Sequence, residues 1–291
     1  MACDSAFRII ARRGLKDLTA HHAATSEGDA DALHRMRIAL MRLRTAIWFF
    51  SPMVAGAQRT RIRNELKWLN AHLGVVRDLD VAIERLRKVN RQQQQQQQQA
   101  DDRSWQRERA VSQLHLARVL RSARYQALVK SVSTWVEKGS WSAQAGKLAA
   151  TQRACPIAGY SARKLARWQE KLIRKSRKLR EFGTKKRHRL RLLNKKLNYA
   201  IESVADLISN DEMSKHRAMS RYLRKAQKAL GQLNDDARGR ALATTVGRGG
   251  IRASQPFLSP EREKRLLRSA ITAYRKLAEL KPLRLEAHGS P

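Results

Sequence analysis

The sequence predicts an all-α protein, a helical bundle made of two related halves. Three observations carry this. Apolar residues recur at three- and four-residue spacing along most of the chain, stretches alternating with period two are almost absent, and one helix-sized segment occurs twice in similar form.

Taken in order, the spacing predicts helices over about 5–23, 31–50, 58–73, 80–91, 104–120, 125–137, 161–180, 185–208, 215–230, 237–246 and 261–280. The first ends on His21 and His22, side chains that suit the negative end of a helix dipole. Stops are read at Ser51 and Pro52, at Gly74, at Gly139, at Gly183 and across Gly247 to Gly250, while Ser259 and Pro260 form an N-cap and first-turn pair for the last helix. Eight glutamines, Gln92 to Gln99, form a low-complexity tract read as an expanded interhelical linker.

Composition narrows the partner. A chain of 291 residues with 42% hydrophobic residues can bury a core of its own. Against 61 Lys and Arg stand 25 Asp and Glu, a formal charge of +36, which points to a polyanion. Cys3 and Cys155 are too few for a disulfide framework and stand in unrelated local contexts, so two free thiols in a reducing compartment are expected. Neither a signal peptide nor a membrane span is legible: the longest apolar stretch is short and is broken by Pro52. A soluble cytoplasmic protein is expected.

The internal correspondence starts at two histidines. Laying His34 on His188 puts Arg35 on Arg189, Met36 on Leu190, Arg37 on Arg191, Arg42 on Lys196, Leu43 on Leu197, Ala46 on Ala200 and Ile47 on Ile201. Farther along, "LKWLNAHLGVVRD" ending at Asp78 falls on "LRKAQKALGQLND" ending at Asp235, with Lys67 on Arg224 and Gly74 on Gly231. The expected organisation is one domain over 1–291, divided into a first half, 1–142, which holds the tract at 92–99, and a second half, 143–291.

At about 100° per residue, Met36, Leu40, Leu43 and Ile47 share the core-facing arc of the first copy. His34, Arg37, Met41 and Arg44 fall on the opposite side, with Arg42 at the flank; His188, Arg191 and Lys195 repeat the line, with Lys196 at the flank. Guanidinium forks grip phosphate oxygens bidentately, lysine adds point charge, and imidazole donates whether neutral or cationic. A lone basic face of this kind is ordinarily just solvated. Here it occurs twice, and it is shared with Ile38, Thr45 and Trp48 in one copy and with Leu192 and Tyr199 in the other, a mixture that suits a cavity wall.

"ALHRMRIALMRLRTAI" and "KRHRLRLLNKKLNYAIE" resemble the two signature helices of the CHAD domain, the conserved histidine α-helical domain, and "LKWLNAHLGVVRDLDV" and "ALGQLNDD" resemble the helices that follow them. The resemblance covers about 30–246. It implies a bundle of two pseudo-symmetric halves around a basic central cavity that binds inorganic polyphosphate without catalysis. By position it implies His34, Arg37, Arg42, Arg44, His188, Arg191, Lys195 and Lys196 as phosphate-binding residues, with Lys67 and Arg224 added by their match between halves. Met41 and Asn198 stand where the family pattern has arginine.

Other groups have structural readings. Arg77, Asp78, Asp80, Asp235 and Asp236 are read as caps and buried ion pairs, and the six tryptophans as mostly core. "AGKL" lacks the first glycine and the hydroxyl residue of a P-loop, and "PEREK" is a helix start with acids in its first turn. No catalytic residue, metal or cofactor is expected. The function expected is non-catalytic polyphosphate binding, with recruitment to polyphosphate granules; the alternative is a basic helical nucleic-acid-binding protein, against which stands the lack of any helix-turn-helix, RRM, KH or zinc-finger signature.

Overall fold

The computed structural model describes residues 1–93, 98–143, 147–207, 210–246 and 258–280. Among them the regular structure is helical: α1 (Cys3–Ala20), α2 (His22–Ser26), α3 (Ala30–Phe49), α4 (Ala57–Gln93), α5 (Gln98–Arg121), α6 (Ala123–Lys138), α7 (Lys147–Ala154), α8 (Ile157–Ser176), α9 (Thr184–Val204), α10 (Asn210–Val246) and α11 (Pro260–Glu279). Among the described residues, the single β-type contact is an isolated antiparallel bridge between Ala2 and Pro156.

Most predicted boundaries hold, for local reasons. Asp29 caps α3 by accepting from the backbone N–H groups of Asp31 and Ala32, at 2.7 and 2.8 Å. Ser259 caps α11 ahead of Pro260, as the sequence suggests. Gly139 follows the end of α6, and Gly183 precedes α9. The first predicted helix is broken at His21 into α1 and α2. Glutamines continue both flanking helices, Gln92 and Gln93 ending α4 and Gln98 and Gln99 opening α5; the middle of the tract lies outside the described residues, as does the glycine run 247–250.

One predicted stop, at Gly74, and the predicted break between 230 and 237 are corrected. Gly74 lies inside the 37-residue α4 and Gly231 inside the 37-residue α10, so 58–73 and 80–91 are one helix, as are 215–230 and 237–246. A Cβ at Gly74 would stand 3.2 Å from Arg37 Nη1, and one at Gly231 would stand 3.9 Å from Arg191 Nε. Gly74 lets Arg37 of α3 come close to the α4 backbone, whereas Gly231 leaves Arg191 at an ordinary contact distance. The acids that follow them are therefore not helix caps. The ion-pair half of that reading does hold: Asp78 pairs with Arg238 of α10 at 2.5 Å, and Asp80 with Arg109 of α5 at 3.0 Å.

The apolar arc of α3 enters the core as its spacing requires: Met36, Leu40, Leu43 and Ile47 are all buried. α1 packs on α3, where Gly14 allows close approach to Leu43. Phe7 meets Phe50, Trp135 and Trp141 with ring centroids 5.5, 5.5 and 5.2 Å away, a tilted and two edge-on contacts that seal this side of the core. On α9 the corresponding arc is Leu190, Leu197 and Ile201, interrupted by buried Asn194, which donates to the Leu223 carbonyl and accepts from the Tyr274 hydroxyl. α3 also packs against α4, α9 against α8 and α10, and α10 against α11. The two histidine-bearing helices, α3 and α9, touch each other directly.

Candidate anion-binding site

α3 and α9 bring their basic lines together, and α4 and α10 close around them. His34, Arg37, Arg191 and Lys195 form the centre, joined by Arg77, Asp78, Asp235 and Arg238. Burial comes first among the causes that depress the charged forms of Arg37 and Arg191. A guanidinium still stays protonated under such conditions, so the protein holds two half-buried cations in one cluster.

Their hydrogen bonding is incomplete. Arg37 Nη1 and Arg191 Nε are buried and meet no acceptor among the described residues. Leaving such a donor unmet costs on the order of 1–3 kcal/mol. Asp78 does not cancel the charge, because its second oxygen is held by Arg238, and burial pushes its own carboxyl upward despite the nearby arginines. Lys195 feels the surplus most. Burial, then Arg191 and Arg37, press its ammonium down to about 8, against the pull of Asp235. His34 keeps part of its ring in solvent; desolvation, followed by Arg77, Lys195 and Arg37, holds it below the usual imidazole range.

A second basic group lies two turns along, about 10 Å up the helix axis. Arg44 is half-buried and its Nη1 lies 3.8 Å from Met41 Sδ. Lys196 sits 4.4 Å above the Trp48 ring, which in turn stacks on Trp168 at 3.9 Å. Burial, then Arg44 and Lys171, lowers the Lys196 ammonium. Trp48 thus lies on the basic face where helical spacing puts it, as a platform for a cation.

The other sequence candidates stand apart. Arg42 is exposed and pairs with Glu202 at 3.3 Å, while Asn198 donates to the other oxygen of Glu202 at 2.8 Å. Lys67 and Arg224 are exposed on α4 and α10, and Arg224 Nε reaches only the Ser220 carbonyl, at 3.4 Å. His188 is turned toward α10: its Nδ1 bonds Asn234 Oδ1, which leaves Nε2 at a small cleft beside Arg187, Asp236 and Glu263. On the His34 side a larger cavity of about 470 Å³ opens between the start of α3, α4 and α5, lined by Asp31, Arg77, Asp80, Glu84 and Arg109. Neither opening is lined by both α3 and α9.

The contribution of Arg238 escaped sequence reasoning. It lies outside the repeated motif, and only the packing of α10 brings it in. Of the two histidines that end the first predicted helix, His22 bonds the Leu120 carbonyl at 3.0 Å and stacks on Tyr125. No group of three or more metal-ligating side chains occurs among the described residues, nor any helix long and apolar enough to cross a membrane.

Comparison with known proteins agrees with this architecture. The CHAD domain family model matches residues 9–244. The crystal structure of the CHAD domain from the plant Ricinus communis superposes with a TM-score of 0.78 at 22% identity, over 97% of this chain and 93% of that one. PptA from Streptomyces chartreusis superposes at 0.63 with 14% identity, over 96% of each chain. No curated protein sequence matches.

Proposed function

This chain belongs to the CHAD domain family, and from that premise we propose that it binds inorganic polyphosphate through the α3–α9 cluster, without turning it over. One observation supports this above the rest: two half-buried arginines, Arg37 and Arg191, the first of them approaching Gly74 of a facing helix, each hold a buried N–H that lacks an acceptor among the described residues. A chain of phosphates supplies acceptor oxygens and compensating charge at regular intervals. Arg44 and Lys196 continue the track beyond the cluster. His34 and His188 serve at its edges, and Arg42, Lys67 and Arg224 form an outer field that draws the polyanion in. Recruitment to polyphosphate granules in the cytoplasm belongs to the same proposal.

The binding is multidentate, so it favours long chains over pyrophosphate and weakens steeply with salt as condensed counterions are released. The test is calorimetric titration of the chain with long polyphosphate, pyrophosphate and duplex DNA at matched phosphate and salt, repeated with Arg37→Gln/Arg191→Gln. Loss of two charge-assisted contacts should weaken polyphosphate binding by about 100-fold or more while leaving the helical circular dichroism intact. DNA binding equal to polyphosphate binding, or a double variant that still binds normally, would overturn the site and favour a nucleic-acid partner on the outer surface. Shortening of the polymer during incubation would refute the absence of turnover.

A further inference from the structure

Cys3 and Cys155 are far apart in sequence and stand together in the fold. Cys3 N–H donates to the Cys155 carbonyl at 3.0 Å, and Ile157 N–H donates to the Met1 carbonyl at 3.0 Å. These bonds bracket the antiparallel bridge between Ala2 and Pro156 and set the Cys3 backbone directly against that of Cys155. A direct backbone hydrogen bond between two residues brings their Cα atoms near the roughly 4.4–6.8 Å range that a disulfide spans. The thiols also sense each other: after burial, Cys155 is the largest influence raising the Cys3 thiol, to about 12. Both are free thiols here, Cys3 buried and Cys155 partly exposed. Facing positions across a backbone bridge are what the unrelated local contexts of the two cysteines hid.

We propose that Cys3 and Cys155 are a disulfide-forming pair, which small disulfide oxidants such as oxidised glutathione close into a covalent staple between the start of α1 and the α7–α8 junction. The Cys155 thiolate attacks one sulfur of the oxidant, forming a mixed disulfide and releasing one glutathione thiolate, which takes up a proton. Cys3 then gives its proton to solvent base and attacks the Cys155 sulfur, expelling the second glutathione. Two protein thiols are oxidised to one disulfide, and one small disulfide is reduced to two thiols. Burial of Cys3 makes the second step slow, but derivatising Cys155 removes one of the charges that hold the Cys3 proton on. α1 packs on α3, and α8 packs on α9, so the staple ties together the elements that back the two histidine helices. It closes a loop of about 150 residues, long enough for a large effect on the unfolded chain.

The test treats the native full chain with oxidised glutathione at about pH 8.5, a pH that populates thiolates, then traps residual thiols by alkylation under denaturing conditions and measures intact mass and linked peptides. Loss of two hydrogens, a Cys3–Cys155 linked peptide and a Tm raised by on the order of 5 °C are expected, with all three absent in Cys155→Ser and in Cys3→Ser. Two alkylatable thiols, a lasting glutathione adduct on Cys155 alone, a covalent dimer, a bond that forms only in denaturant, or a lowered Tm would each overturn the proposal. None of these outcomes depends on polyphosphate.

Discussion

Replacing Lys195 with methionine should stabilise the ligand-free protein at neutral pH and abolish part of its pH dependence. Burial, then the charges of Arg191 and Arg37, bring the Lys195 ammonium to about 8 from an ordinary 10.5. At about 1.4 kcal/mol per pH unit, that interval corresponds to a penalty of about 3 kcal/mol for keeping the charge in the fold. The sign follows from proton counting: between about 8 and 10.5 the unfolded chain binds the proton and the folded chain does not, so stability rises with pH across that window. The penalty is fully present below about 8. Lys195→Met, which keeps the stem's volume, should therefore be more stable than the wild type by up to about 3 kcal/mol at pH 7, with the gap closing as pH rises. Urea denaturation of both proteins at fixed ionic strength from about pH 7 to 9.5 reads this directly. Polyphosphate reverses the balance by favouring the ammonium, so wild-type affinity should fall by up to about tenfold per pH unit above about 8 and the variant should lack that slope. A stability gap that does not change with pH would refute the assignment of surplus charge to this cluster.

Gly74→Ala should weaken polyphosphate binding, because its Cβ would press on Arg37 Nη1 at 3.2 Å, whereas Gly231→Ala, at 3.9 Å from Arg191, should bind normally and gain up to about 1 kcal/mol of helix stability; equal binding by the two variants in titration would contradict the close-approach argument. Phe7→Ala removes a fully buried ring from among Phe50, Trp135 and Trp141 and should cost about 3–5 kcal/mol in chemical denaturation, a loss below 1 kcal/mol showing that the site collapses without harm. With His34 held below the imidazole range in the free protein and raised by a bound polyanion, affinity should increase as pH falls through about 6.5 and below; His34→Gln should flatten that acidic limb and leave the alkaline one, and an unchanged limb would make His34 a packing residue.

What the sequence made legible was local or repeated. The arc Met36, Leu40, Leu43 and Ile47 is buried because its spacing is that of one helix face, and Ser259 with Pro260 caps α11 because a cap needs only its own turn. His34, Arg37, Arg191 and Lys195 were found because the pattern occurs twice. What it hid depends on a second helix. Arg238 matters through Asp78, 160 positions earlier, and Cys3 through Cys155; no local window holds either pair. Gly74 and Gly231 show the limit most clearly, since a glycine after an apolar helical run ordinarily ends it. Inside a continuous helix each costs about 1 kcal/mol relative to alanine, and nothing on α4 or α10 themselves offsets that cost. At Gly74 the offset lies on α3, where a Cβ would crowd the Arg37 guanidinium at 3.2 Å; at Gly231 a Cβ would meet Arg191 Nε at 3.9 Å, an ordinary contact, so crowding from α9 does not call for glycine there. Gly74 thus keeps its place inside a continuous helix through a contact with another helix, a reason that no reading of α4 alone could supply.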